Sequence, residues 1–232
     1  MIPLRDTIRA RSFPLVNWIL ILANGLVFYH ELSLSPLGLE RFILHYGLVP
    51  ARLDWGNPAT LYPILTHMFV HSGWLHILSN MWILFIFGDN VEDRLGAGRY
   101  FFFYLLGGIA AALMQVFIDP TSRIPAIGAS GAIAAVLGAY FLFYPRAKVT
   151  TLILLIIIPW FVDIPAFVFI GIWFVLQLFS GLAVLSTPSS LNAGGVAWWA
   201  HIGGFLFGLL LARPFLIGRQ IRQWHRDEYW PW

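Results

Sequence analysis

Ser130 lies in the run Gly128-Ala129-Ser130-Gly131 and His201 in Ala200-His201-Ile202-Gly203-Gly204, each at the head of a long apolar stretch. A hydroxyl and an imidazole are the smallest set that makes a nucleophile and its base. Polar groups at membrane depth are costly, so their presence is a functional signal. Ser130 follows a glycine turn at the start of an expected helix. The unpaired amides of the first turn and the positive end of the helix dipole therefore face its oxygen. The plain alternative is a serine packed in a small-residue helix interface. Spacing adds to the first reading. Ser130, Ala134 and Gly138 recur every four residues, as do Ala200, Gly204 and Gly208, and such stripes let two backbones approach closely. Close approach would carry His201 within hydrogen-bond reach of Ser130, as a general base requires.

His76 and Asn80 are four residues apart and share one helical face. An imidazole and an amide aimed at one point suit the developing oxyanion of acyl transfer; the alternative is polar glue between helices. His67 and His71 have the i, i+4 spacing that zinc uses. No His-Glu-x-x-His pattern, cysteine or neighbouring carboxylate accompanies them, so neither a metal nor another cofactor is expected. Asp119 and Asp163 fall near span ends, at the wrong depth for a third catalytic member.

These side chains have to be positioned by membrane helices. Of 232 residues, 59% are hydrophobic and 11% charged, against about 25% charged in an average soluble domain. The length suits about six crossings of roughly 20 residues each. The expected spans are residues 15–34, 73–87, 100–118, 129–144, 165–185 and 196–216. A mixed, aromatic insert at 35–62 is expected to lie at the interface between the first two, and 88–99 reads as a polar turn. Residues 149–161 are apolar but too short to cross alone, and read as an interfacial or re-entrant segment. Eleven of the 14 Lys and Arg residues then fall on one side, which puts both termini in the cytoplasm. The expected organisation is a cytoplasmic segment 1–14, a six-helix domain 15–217 and a cytoplasmic tail 218–232. The formal charge of +3 is explained by basic residues flanking spans, so nucleic acid is not an expected partner. The tail's Trp224, Trp230 and Trp232, with Arg222 and Arg226, read as an interfacial anchor.

With these residues in place, the sequence resembles the rhomboid intramembrane serine proteases, of the prokaryotic type. The resemblance runs from Thr66 to Gly208. It is carried by His67, His71, His76 and Asn80, by Glu92 and Arg94 in Val91-Glu92-Asp93-Arg94-Leu95-Gly96, by Gly128 to Gly131, and by Ala200-His201 with Gly204 and Gly208. It implies an all-α six-helix bundle in a bacterial or archaeal cell membrane, a Ser130–His201 dyad without an acidic member, and an oxyanion hole of His76, Asn80 and the Ser130 amide. It also implies structural roles for His67, His71, Glu92 and Arg94. Implied substrates are transmembrane segments of other proteins, with small residues at the cleavage point and helix-weakening residues beyond it, taken from the lipid bilayer. The fifth span and the loop 186–195 would gate entry. One position departs from the family pattern: Ala134 stands where many rhomboids have a tyrosine that stacks on the catalytic histidine. Trp198 and Trp199 are the candidates to replace it. Three rival readings stay open here: a rhomboid-like protein that binds membrane clients without cutting them, a transporter lined by His201, Gln115 and Gln177, and a metal-dependent intramembrane protease.

Overall fold

The computed structural model describes residues 1–155, 158–185 and 196–218. The expected gating loop 186–195 and the tail anchor at 219–232 lie outside the described residues. The chain opens with a strand, β1 (Ile2–Asp6), and then α1 (Leu15–Leu32). The insert that follows is built of α2 (Pro36–Tyr46), two short 3-10 turns and the single turn α3 (Pro63–Thr66). Then come α4 (Trp74–Leu95), α5 (Ala97–Ile118), α6 (Ser130–Phe143), strands β2 (Lys148–Leu155) and β3 (Ile158–Pro165), α7 (Ala166–Leu185) and α8 (Trp198–Leu211).

Three described helices, α1, α5 and α7, are long and apolar enough to cross a membrane. A fourth crossing is available if the bent pair 58–69 and 74–95 is one span. α6 and α8 are apolar but shorter. Both run through the centre of the bundle, where α6 is buried at every position from Gly131 to Tyr140. Their small residues explain how they fit. A Cβ on Gly204 would stand 2.0 Å from the Gly131 carbonyl oxygen, one on Gly208 2.0 Å from that of Ala135, and one on Gly138 2.3 Å from that of Phe205. Only hydrogen fits at these three positions, so the two backbones touch.

The polar stretch expected as a turn at 88–99 is helical up to Leu95, and only Gly96 separates α4 from α5. Its polar groups have distant partners. Both Glu92 oxygens accept amides at the start of α1, from Val16 at 3.0 Å and Asn17 at 2.7 Å. These are amides that no helix can satisfy internally. Asn17 in turn accepts from the Tyr100 hydroxyl at 2.7 Å. Arg94 lies over the Phe143 ring instead of pairing with Glu92.

The all-α expectation requires a correction. Residues 149–155 and 158–161 lie in β2 and β3 of an antiparallel sheet of order β1-β2-β3. β2 and β3 pair from Lys148↔Pro165 to Leu155↔Ile158, and β1 adds across Asp6↔Val149 and Ile2↔Leu152. β-branched residues crowd this run, and they favour the pleated surface. Pro3 sits on an edge strand at a register shift, where its missing N–H is tolerated. The sheet docks on the bundle through Trp82, whose indole donates to the Pro3 carbonyl at 2.6 Å, and through Asp6, which accepts from Tyr140 and Asn90.

Candidate active site

The loop before α6 is held from two sides. Leu48 and Ala126 exchange backbone bonds at 2.8 and 2.9 Å, and the Gly128 amide donates to the His67 carbonyl at 2.9 Å. Gly128 has φ +114°, the left-handed region that favours glycine, and a Cβ there would stand 2.5 Å from His76 Nε2. The turn therefore both redirects the chain and leaves room for that ring. It delivers Ser130 as the first residue of α6, with no side chain capping the helix start.

Across the α6–α8 contact, Ser130 Oγ lies 2.7 Å from His201 Nε2. His201 is buried at 8% exposure, one turn before Gly204. The touching backbones are what bring these two side chains together. On the far side of the imidazole, Nδ1 lies 2.8 Å from Gln177 Oε1 on α7. With Nδ1 as donor, Nε2 carries the lone pair that receives the serine proton. Asp119 and Asp163 take no part: they accept from Thr121 and Thr150. Two tryptophans flank the imidazole where Ala134 offers no ring. Trp173 is tilted 34° from it at 6.0 Å, and Trp198 meets it edge-on at 6.2 Å.

His76 and Asn80 sit together on the first turns of α4. Ser72 approaches His76 Nδ1 with its amide at 3.4 Å and its hydroxyl at 3.1 Å. With Nδ1 accepting, the His76 proton is on Nε2, the atom that faces Gly128. Asn80 Nδ2 lies on the same side, 3.6 Å from where a Gly128 Cβ would be, and this buried amide nitrogen has no hydrogen-bond partner. His76 Nε2 and the unpartnered Asn80 Nδ2 thus both face the Gly128 turn that leads into Ser130. His71 is buried with its ring 5.0 Å from that of His76, and its amide donates to Glu31 at 3.1 Å. His67 and His71 each direct Nδ1 at a backbone carbonyl, of Pro63 and Phe69. Among the described residues no cluster of three metal-ligating side chains occurs.

Ser130, His201, His76 and Asn80 all line one cleft of about 760 Å³. These polar groups lie toward one end of it, by the first turns of α4. Below them it is apolar, walled by Ile83 and Phe87 of α4 and by Phe169, Ile170 and Trp173 of α7, with Pro3 at its border. His76 and Phe87 are eleven residues apart, so the cleft follows α4 for about 16 Å. The sequence reading missed three contributors: Trp173, Gln177 as a neighbour of His201, and Ser72. A visible signal for the first two was the Trp173–Gln177 pair one turn apart inside an otherwise apolar helix.

A helical integral membrane protein with a serine and a histidine joined across two touching helices is the class that fold and site define. The chain belongs to the rhomboid family, since residues 58–217 match the Rhomboid domain. It is similar to the mitochondrial rhomboid protein 1 of Saccharomyces cerevisiae, 30% identical over 63% of this chain and 40% of that protein. The mitochondrial presenilin-associated rhomboid-like protein A of Danio rerio is 28% identical over 74% of this chain and 41% of its own length. The chloroplastic rhomboid-like protein 11 of Arabidopsis thaliana is 32% identical over 48% and 39%. The chain thus covers about two fifths of the length of these relatives.

Proposed function

We propose that this rhomboid is an intramembrane serine endopeptidase that cleaves transmembrane segments of other membrane proteins. The observation that carries the reading is the 2.7 Å approach of Ser130 Oγ to His201 Nε2 at the head of a cleft that is polar at the top and apolar below. His201 removes the Ser130 proton as the oxygen attacks the scissile carbonyl, and the tetrahedral oxyanion forms beside His76 Nε2–H and Asn80 Nδ2–H. His201 then returns the proton to the leaving amine. Water, activated by the same imidazole, hydrolyses the acyl-enzyme. His71, Gly128, Gly131, Gly204 and Gly208 act by holding these groups in place, while Glu92 fixes α1 to α4.

The apolar length of the cleft, between α4 and α7, suits a substrate segment that has left the bilayer sideways and unwound near the serine. A six-helix domain at 15–217, counting α1, α4, α5, α6, α7 and α8, with 1–14 and 218–232 on the cytoplasmic side of a cell membrane, is the arrangement that the arginine distribution supports. A client-binding protein without activity would have no use for a serine within proton-transfer distance of a neutral imidazole. The test is cleavage of a single-pass transmembrane substrate in proteoliposomes, together with labelling by a fluorophosphonate. Wild type cleaves and is labelled, whereas Ser130→Ala and His201→Ala do neither. Cleavage that persists in Ser130→Ala would end the proposal.

A further inference from the structure

The His201 ring has a buried partner that the dyad itself does not use. Gln177 is 6% exposed and sets Oε1 2.8 Å from His201 Nδ1. Its orientation is fixed by a second bond, because Gln177 Nε2 donates to the Trp173 carbonyl one turn back at 3.1 Å. Reversing the amide would place oxygen against oxygen at Trp173, so the carbonyl of the side chain must face the imidazole. A directional chain results. The Trp173 carbonyl orients the amide, the amide oxygen claims the proton on Nδ1, and Nε2 is left with its lone pair toward Ser130.

We propose that Gln177 is a positioning residue of this site: its side-chain oxygen holds His201 in the tautomer and rotation that let Nε2 take the Ser130 proton. The proposal rests on the Ser130–His201 reading above. The side chain is a neutral amide. It orients the imidazole without countering the charge that develops there. Trp173, which receives the amide proton, also lies beside the face of the imidazole, so one turn of α7 restrains both its rotation and its tilt. Ala134 leaves that task to α7.

The test compares Gln177→Leu and Gln177→Met, which keep bulk and remove the acceptor, with Gln177→Glu, which keeps an oxygen in the same place. Cleavage kinetics in proteoliposomes should show kcat reduced about 100-fold in Leu and Met, in the range a misoriented base costs, with KM changed less than about threefold. Glu should restore kcat to within about tenfold of wild type. In resting protein carrying 15N-labelled histidine, wild type should show one His201 tautomer protonated on Nδ1, and Leu or Met a mixture. If Leu fails to fold, Met is read in the same way. Wild-type kcat in a folded Leu or Met variant overturns the proposal, and so does a loss that Glu does not rescue. An active Ser130→Ala would instead remove the dyad reading beneath it.

Discussion

Replacing Gly204 by alanine tests whether backbone contact sets the catalytic distance. The new Cβ would stand 2.0 Å from the Gly131 carbonyl oxygen, and real Cβ contacts stay beyond 3.0 Å, so α8 and α6 must part by about 1 Å. His201 is one turn before Gly204, and Ser130 is next to Gly131. The same parting therefore stretches the 2.7 Å approach of Nε2 to Oγ toward about 3.7 Å, past the roughly 3.2 Å limit for proton transfer through a hydrogen bond. A misplacement of about 1 Å costs on the order of 100-fold in rate. The measurement is kcat for a transmembrane substrate in liposomes, with the rate of fluorophosphonate labelling as a substrate-free check on serine reactivity. Gly25→Ala is the control, because a Cβ there meets nothing within 4 Å. A folded Gly204→Ala enzyme with more than about a third of wild-type turnover and labelling would refute the reasoning.

Three further outcomes follow from the structure. Asn80→Ala removes a donor aimed beside Ser130, and is expected to lower kcat about 10²- to 10³-fold with little change in KM; kinetics on purified enzyme check it. Glu92→Ala leaves two amides at the start of α1 without an acceptor, and should cost about 1–3 kcal/mol of stability, read as a lower melting temperature with the site chemistry otherwise intact. Asp6 gives a pH dependence. Burial pushes its carboxyl up to about 8, with Tyr140 and Asn90 donating to it and the Asp89 carboxyl facing it. The folded state therefore favours the protonated acid. Its contribution to stability is fully present below about 3.8, the ordinary value, and is lost as pH rises through about 8. The melting temperature should fall across that window in wild type, and the difference between wild type and Asp6→Asn should track it; a difference that stays constant with pH would count against a buried acid.

The apolar spans and the stripes of small residues were legible because each is a local pattern. Leu15–Leu32 and Ala97–Ile118 follow from length and hydropathy, and the four-residue spacing of glycine and alanine pointed to α6 and α8 as partners. What stayed hidden depends on residues far apart in the chain. The run 149–161 is too short and too uniformly apolar for periodicity to separate strand from helix, and its partner β1 lies more than 140 residues earlier. Gly88 to Leu95 reads as a turn because it is polar, yet Glu92 accepts the first amides of α1 and Asn90 donates to Asp6 of β1. Gln177 stands out locally as a polar residue in an apolar helix, but its partner does not, since the His201 imidazole arrives from another helix 24 residues later.

The direct abutment of α6 and α8 has a practical corollary for the choice of lipid. Two rods in hard contact at Gly131, Ala135 and Phe205 have little compliance, so a thicker or thinner membrane should barely deform the reacting pair. α7, the least buried of the three long apolar helices described, exposes Phe167, Ile172, Leu176 and Phe179 along its outer face to acyl chains. On the proposed endopeptidase function, host composition should accordingly govern which segments gain access, and how often, while leaving the intrinsic reactivity of the hydroxyl nearly constant.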